Sequence, residues 1–390
     1  KLIRCKSLTP DDAGCMDLIA QELTPQGFTC EFLDFGATRN LFMRHGTDGP
    51  LLVFLGHTDV VPSGPIEKWR HPPFEATFED GMLYGRGAAD MKSGVAAMAT
   101  ALKRFVETHP HHAGSVGLLL TSDEEGDATD GIVRVMDVFR DRGIFINWCL
   151  IGEPSSFDRL GDVIRVGRRG SLNGKLILHG LQGHVAYPEK AINPIHALAP
   201  LLNDLLEEVW DEGNANFPPT RLQISNIHAG TGAENVIPGS LELTFNFRYS
   251  TAVTDLELRE RFEQLILRHG SRYELSWKLS GAPFLTTGHT LIGATQTALL
   301  EILGSEARPD TGGGTSDGRF IAPTGSEVVE LGPLNASIHK INEHVPVSDI
   351  EPLSKVYERI MTLLLNSSKS SATEPVSSSS TSSESKAPKP

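Results

Sequence analysis

The sequence contains no long apolar segment, no excess of positive charge and few cysteines. No uninterrupted apolar stretch in the 390 residues approaches the ~20 residues of a membrane-spanning helix, and the start, Lys1 to Arg4, lacks the apolar core of a signal peptide. A formal net charge of −14 argues against nucleic acids and anionic membranes, which bind basic surfaces. The four cysteines show no CxxC spacing. These absences predict a cytoplasmic protein with reduced thiols and no membrane or nucleic-acid partner.

The rest of the composition is typical of a globular protein with more than one domain. Apolar residues make up 39% and charged residues 22% of the chain. Strand and helix patterns alternate over residues 1–169 and again over 282–365, whereas 170–281 predicts one sheet with two helices on one face. We therefore expect an α/β catalytic domain with a mostly parallel sheet flanked by helices, interrupted by an inserted α+β domain. The Ser-rich segment 366–390 has no apolar periodicity and is predicted to be disordered.

Residue types that bind metal ions follow several apolar runs. The set is His57, Asp59, Asp90, Glu124, Glu125, Glu153 and His339. Because strand ends meet at one edge of a parallel sheet, we expect these side chains to lie together there as strand-end residues. Two histidines and several carboxylates are too many for one tetrahedral zinc ion. They suit two ions that share a bridging carboxylate, the arrangement that activates water against an amide.

Single members of this set have plainer interpretations. Asp90 follows a glycine-rich turn and precedes a helical pattern, where aspartate commonly caps the helix. Glu124 and Glu125 lie in an acidic turn, and acidic turns are common. Because adjacent side chains diverge in an extended turn, one of the two could bind a metal ion while the other acts as general base. The histidines at 109, 111 and 112 lie in a loop with a proline and are not expected to be functional.

Three segments give the combination a family resemblance. GHTDVVP at 56–62, GRGAADMK at 85–92 and TSDEEG at 121–126 resemble the dinuclear zinc aminoacylase/carboxypeptidase family, and the resemblance extends over essentially the whole chain before the Ser-rich tail. It implies two Zn²⁺ ions per subunit, for which Co²⁺ or Mn²⁺ can substitute.

The resemblance also implies a role for each candidate ligand. His57 and Glu153 would bind one ion, and Glu125 and His339 would bind the other. Asp90 would bridge the two ions, and its peptide bond to Met91 is cis in relatives. Two further roles are implied outside the ligand set, namely orientation of His57 by Asp59 and general base catalysis by Glu124.

The segment QGHVAYP at 182–188 extends the resemblance to a partner subunit. In the family, the histidine that matches His184 reaches the active site of the other subunit and stabilises the oxyanion. A homodimer formed through the inserted domain, which also acts as a lid, is therefore implied. Without the resemblance, His184 would be interpreted as a half-buried histidine in a glycine-rich turn.

Four more segments bear on the substrate: GRRGS at 167–171, NIHAGTG at 226–232, TGGGTSDGRF at 311–320 and GPLNASIHKINE at 332–343. They resemble family members that hydrolyse the succinyl amide of an amino acid with several carboxylates, for which arginine is the best bidentate partner. Taken alone, Arg168 and Arg248 would be solvated strand charges. The residues expected to bind the substrate are Arg168, Ser171, Asn235, Arg248, Thr315 and Asn335.

Three alternatives stay open at this point. The substrate could be acetylornithine or a peptide, because the same metal site serves both. The chain could instead be a metal-dependent binding protein without hydrolytic activity, although a general base such as Glu124 has no use there. The chain could also be a structural protein without metal. In that case, the occurrence of five potential metal ligands at predicted strand ends would be a coincidence.

Overall fold

The structure is a computed structural model, and it describes residues 1–365. The predicted disorder of 366–390 lies outside these residues. Within the described range, no helix combines the length and the hydropathy that crossing a membrane requires.

Strands and helices are distributed along the whole described range. The strands are β1 Thr29–Phe32, β2 Asn40–His45, β3 Leu51–His57, β4 Thr77–Glu79, β5 Met82–Tyr84, β6 Ser115–Thr121, β7 Trp148–Ile151, β8 Val163–Arg165, β9 Gly167–Arg168, β10 Gly170–His179, β11 Gly183–His184, β12 Arg221–Ala229, β13 Val236–Ile237, β14 Ser240–Tyr249, β15 Arg272–Gly281, β16 Phe284–Leu285, β17 Arg308–Asp310, β18 Glu327–Glu330 and β19 His344–Pro346. The α-helices are α1 Cys15–Leu23, α2 Ser93–Thr108, α3 Ile132–Asp141, α4 Pro194–Glu207, α5 Asp255–Arg268, α6 Thr290–Leu303, α7 Gly318–Ile321 and α8 Val347–Leu365.

The larger sheet has eight strands in the order β1-β2-β6-β3-β7-β18-β8-β17. Its central strands β6, β3, β7 and β18 run parallel, and antiparallel pairs occur toward the edges. Strands β3 and β6 are buried at every position, because helices cover both faces of the sheet. Helices α1, α2, α6 and α8 pack on one face, and α3 and α7 pack on the other. The predicted α/β fold with a mostly parallel sheet is confirmed.

A second sheet lies between residues 170 and 281. Its four antiparallel strands have the order β12-β14-β10-β15, and α4 and α5 contribute to its separate apolar core. Alternate residues of β14 are buried, so one face of this sheet packs on the helices. Helix α5 begins with a capping box formed by Thr254 and Glu257. The chain enters and leaves the region through the paired strands β9 and β16. The exact boundaries of an inserted domain, 170–281, stay a prediction.

Candidate metal centre

His57 is the last residue of β3 and is buried. Its Nε2 atom lies 3.1 Å from Oδ1 of Asp90 and 3.5 Å from Oε1 of Glu153. Glu153 follows β7, the parallel neighbour of β3, so the two strand ends bring these side chains together. One nitrogen of His57 therefore faces a cluster of carboxylates.

Asp59 contacts the other side of the same ring. The Nδ1 atom of His57 lies 2.9 Å from the main-chain oxygen of Asp59 and 3.5 Å from its carboxylate. The same carboxylate accepts hydrogen bonds from the main-chain N–H groups of Glu124 (3.4 Å) and Glu125 (3.1 Å). Asp59 thus contacts both the imidazole of His57 and the turn that carries the two glutamates. The sequence does not predict its contact with the glutamate turn.

Asp90 lies in an irregular turn, Ala88–Lys92, immediately before α2. Its peptide bond to Met91 is cis, as the family resemblance implies. One carboxylate oxygen lies 3.1 Å from Nε2 of His57, and the other lies 3.3 Å from Nε2 of His339. Each oxygen of Asp90 therefore faces a different histidine, which is the geometry that a bridging ligand requires.

His339 approaches the cluster from a loop. Its Nε2 atom lies 2.9 Å from Oε1 of Glu125, and its side chain is 50% exposed. The backbone of His339 has φ of +58° in the turn between β18 and β19. The expectation that every ligand follows a strand is therefore wrong for Asp90 and His339, because irregular backbone is needed to bring them over the sheet edge.

The charges at this site are unbalanced. Burial raises the pKa of the Glu124 carboxyl well above its usual range, and nearby carboxylates raise it further against the effect of His57. Burial also raises the pKa of Glu153. Hydrogen bonds to Asp90 and Glu125 raise the pKa of His339 to about 10. Within residues 1–365, no lysine or arginine nitrogen lies within 4.0 Å of the carboxylates of Asp90 or of these three glutamates.

This set of donors fits divalent metal ions. His57, Glu124 and Glu153 place one donor atom each within 4.8 Å of one another, and so do His57, Asp90 and Glu125. Imidazole and carboxylate are the donors that zinc and related ions accept. A cation at the cluster would also balance carboxylates whose basic neighbours, among residues 1–365, are histidines and not lysine or arginine. The assignment of individual ligands to one ion or the other stays a prediction.

A residue that the sequence does not indicate supports the His57 segment. Asp12 is buried, and its carboxylate accepts a hydrogen bond of 2.7 Å from the Thr58 hydroxyl. The Ser7 hydroxyl donates to the main-chain oxygen of Thr58 at 2.6 Å. In the sequence, Asp12 resembles an ordinary acidic residue before a helix, and it does accept from the N–H of Met16 in α1. Its second role depends on contacts that only the fold creates.

Arg168 is buried and bonded within the chain. Its Nε atom donates to both carboxylate oxygens of Glu330, at 2.9 Å and 3.0 Å. Its Nη1 atom donates to the carbonyls of Gly312 (3.1 Å) and Gly314 (3.4 Å). Arg168 therefore fixes the glycine-rich loop, and its predicted contact with the substrate stays a prediction.

Arg248 differs from Arg168 in its partners. It lies opposite Ser171 in the pairing of β14 with β10. Its Nη1 atom is buried and has no hydrogen-bond partner within residues 1–365. Burial lowers the pKa of Arg248, and the charges of Arg169 and Arg168 lower it further. A half-buried guanidinium with a buried Nη1 atom, beside two other arginines, is suited to an anionic ligand.

The other predicted site residues lie in loops and on the short strand β11. His184 is exposed, and its Nδ1 atom accepts a hydrogen bond of 3.0 Å from the N–H of Ala186. Asn235 is also exposed, and its carbonyl accepts from the N–H of Val185, so it lies beside His184. Thr315 and Asn335 are half-buried in loops outside residues 170–281. His184 contacts its own turn and pairs with Val236 of β13, and among residues 1–365 its side chain makes no hydrogen bond to the candidate metal ligands.

The fold and the cluster together define an α/β protein with a candidate metal centre at the carboxyl edge of its sheet. Residues 53–363 match the peptidase family M20/M25/M40, and the chain belongs to this family. The family membership predicted from the sequence segments is thereby confirmed.

Curated relatives match almost the whole chain. It is 62% identical over 365 residues to a succinyl-diaminopimelate desuccinylase of Methylococcus capsulatus, covering 94% of this chain and 97% of the relative. A protein of the same name from Alkalilimnicola ehrlichii is 56% identical over 364 residues, covering 93% and 97%. The succinyl-amide hydrolase function predicted from the sequence agrees with the name of these relatives.

Solved structures share the fold at low sequence identity. A metallo-carboxypeptidase of the M20 family from Sulfolobus solfataricus superposes with a TM-score of 0.78 at 18% identity, covering 93% of this chain and 97% of the other. A dinuclear metal-binding peptidase of the M20 family from Bacillus subtilis gives a TM-score of 0.68 at 17% identity, with the same coverage.

Proposed function

We propose that the chain hydrolyses N-succinyl-LL-2,6-diaminopimelate to succinate and LL-2,6-diaminopimelate, a step of lysine and diaminopimelate biosynthesis in the cytoplasm. The observation that carries this proposal is the 62% identity to a succinyl-diaminopimelate desuccinylase over 94% of the chain. The cluster of histidines and carboxylates supports it, because amide hydrolysis needs an activated water.

Two Zn²⁺ ions per subunit are the proposed cofactors, with Co²⁺ or Mn²⁺ as possible substitutes. His57 and Glu153 would hold one ion, and Glu125 and His339 would hold the other. Asp90 would bind both ions. The position of Asp90 between the two histidines supports the bridging role. When bound, such ions lower the pKa of a shared water toward neutrality and polarise a carbonyl.

Glu124 is the proposed general base and acid. It would take a proton from the attacking water and return it to the leaving amine, which breaks the amide bond and releases succinate. Its position supports this role, because one of its oxygens lies within 4.8 Å of donor atoms of His57 and Glu153. Asp59 fixes the backbone of the turn and so directs the Glu124 side chain.

Arg248 is the proposed main contact for a substrate carboxylate, assisted by Arg168, Ser171, Asn235, Thr315 and Asn335. The buried Nη1 atom of Arg248, which has no hydrogen-bond partner among residues 1–365, supports this role. A substrate with several carboxylates would supply an anionic partner for this atom.

The proposed catalytic unit is a homodimer formed through the second sheet, in which His184 of the partner subunit stabilises the oxyanion. Strand β12 is an edge strand with mostly exposed residues. Ile227 on β12 and Ile195 and Leu206 on α4 are 48%, 46% and 65% exposed, respectively. An unpaired edge beside exposed apolar side chains favours pairing with a second copy.

The experiment is succinate release from N-succinyl-LL-diaminopimelate by chelator-stripped protein titrated with zinc, with N-acetylornithine as the parallel substrate. We expect zinc-dependent release from the succinyl substrate and little reaction with the acetyl substrate. Preference for N-acetylornithine would keep the metal site and contradict the proposed substrate. Zinc binding without cleavage of either amide would contradict hydrolysis.

A further inference from the structure

Glu343 is a fully buried carboxylate that is not one of the proposed ligands. One of its oxygens accepts hydrogen bonds from the Arg86 guanidinium (2.7 Å) and the N–H of Gly87 (2.9 Å). The other accepts from the N–H groups of Ala89 (2.8 Å) and Asp90 (3.0 Å). The carboxylate therefore binds the backbone of the turn that carries the proposed bridging ligand.

Glu343 and Arg86 also bind the loop that carries His339. Glu343 lies four residues after His339, and its main-chain oxygen accepts from the N–H of Gly85 at 3.0 Å. Arg86 is buried, and one of its Nη atoms also donates to the main-chain oxygen of Lys340, the neighbour of His339, at 3.2 Å. Two side chains thus join the Asp90 turn to the His339 loop.

A third segment is held by Arg86. Its other Nη atom donates to the main-chain oxygen of Pro62 at 3.2 Å, and its guanidinium lies over the ring of Trp69 at 5.2 Å. Pro62 follows the segment of His57 and Asp59. The arginine therefore contacts the loop that carries His339 and the segment that follows His57 and Asp59, and it lies itself just before the Asp90 turn.

We propose that Glu343, with Arg86, is a positioning residue that sets the separation of Asp90 from His339. It thereby sets the occupancy of the second metal site, which is the one proposed for Glu125, His339 and the bridging Asp90. Both ligands lie on irregular backbone, and no strand of the large sheet fixes either of them. The hydrogen bonds of Glu343 take over that role. Supporting groups of this kind tune metal affinity without binding the ion themselves. The inference rests on the two-ion centre of the proposed function.

Glu343→Gln is the decisive variant, because it keeps the length of the side chain but turns an NH₂ donor toward groups that are themselves donors. Co²⁺ titration followed by visible absorption measures metal binding in the absence of substrate. We expect the first ion to bind as in the wild type and the second to bind roughly 10–100-fold more weakly. With saturating Co²⁺, kcat should fall while KM stays close to the wild-type value.

Two milder variants keep the test valid if Glu343→Gln does not fold. Glu343→Asp and Arg86→Lys should each weaken the second ion in the same direction but to a smaller extent. Asp162→Asn is the matched control, because Asp162 also accepts main-chain N–H groups, those of Phe157 and Asp158 at 2.8 Å, away from the cluster. It should leave Co²⁺ binding unchanged.

Two results would overturn the inference. One is wild-type binding of both Co²⁺ ions by the Glu343 variants, with or without a loss of thermal stability, since that describes a structural role alone. The other is a wild-type protein that binds a single ion. If the wild-type protein binds two ions but does not cleave the succinyl substrate, the proposed function is refuted. The Co²⁺ titration of the Glu343 variants then still tests the positioning role.

Discussion

Asp90 illustrates why single residues of this site are hard to interpret in the sequence. Before a helix pattern it has the properties of an N-cap, yet Lys92 occupies the N-cap of α2 and the two oxygens of Asp90 face His57 and His339. The set of ligands could be predicted because several unusual residues occur together. Three supporting contacts could not be predicted, because they form only in the folded chain. The Asp12 carboxylate accepts from the Thr58 hydroxyl, and the carboxylates of Asp59 and Glu343 accept from main-chain N–H groups of the Glu124 and Asp90 turns.

The two adjacent glutamates should separate metal binding from catalysis. Glu124→Gln is expected to retain both metal ions and to lose roughly 10²–10⁴-fold in kcat, because it removes a proton-transfer group. Glu125→Gln should instead lose metal, since Glu125 contacts His339. Metal content after dialysis and steady-state kinetics check both variants. Loss of metal from Glu124→Gln would show that the base and the ligand are assigned the wrong way round.

Arg248 should control substrate affinity. Arg248→Met is expected to raise KM for the succinyl substrate roughly 10–100-fold, because it removes the proposed charge-assisted hydrogen bond to a substrate carboxylate at a half-buried position. Arg221, the cross-strand neighbour of Arg248 on β12, is exposed and gives the matched control. Arg221→Met should leave KM nearly unchanged. A fall in kcat with unaltered KM in Arg248→Met would contradict the binding role.

The regular elements could be predicted more completely than the loops between them. Continuous apolar runs predict β3, β6 and β7, and all three are buried strands of the large sheet. The apolar periodicity of residues 192–209 predicts a helix. The helix α4 in the structure is shorter, Pro194–Glu207, and it begins later because Asn193 caps it and Pro194 occupies its first turn. The turns of Asp90 and His339 have no such pattern. Their conformations depend on tertiary hydrogen bonds to distant segments.

A contact between β2 and the turn after α2 should make stability depend on pH. Nδ1 of His45 lies 2.8 Å from Nε2 of His112, and burial lowers the pKa of both imidazoles, with His109 nearby. The folded state therefore holds fewer protons than the unfolded state, whose histidines titrate near ~6.5. This contribution to stability is full above that pH and is lost as the pH falls toward the lowered values.

Thermal unfolding of metal-free protein between pH 7.5 and 5.5 measures this effect. We expect the midpoint to fall with pH in the wild type and to fall less in His112→Gln, which removes one of the two groups. His111 is exposed, so His111→Gln should keep the wild-type slope. Equal slopes in all three proteins would show that the histidine pair does not contribute.

At the scale of the whole molecule, the charge distribution suits the proposed substrate. The chain carries a net charge of −14, yet Arg168, Arg169 and Arg248 lie close enough to influence one another. A local group of arginines beside a carboxylate cluster would orient a substrate that carries several carboxylates. The exposed His184 lies on the short strand β11, which pairs with β13 outside the four-stranded second sheet.

Mixing two inactive variants should test whether His184 acts on the partner's site. In a dimer of Glu124→Gln with His184→Asn subunits, one site would combine an intact Glu124 with an intact His184 of the partner subunit, and the other site would have neither. Random exchange should therefore restore about a quarter of wild-type activity from two nearly inactive proteins. Succinate release before and after subunit exchange measures this, with the mass of the complex confirming a dimer. If His184 serves its own subunit, both sites of the mixed dimer stay defective and no activity returns.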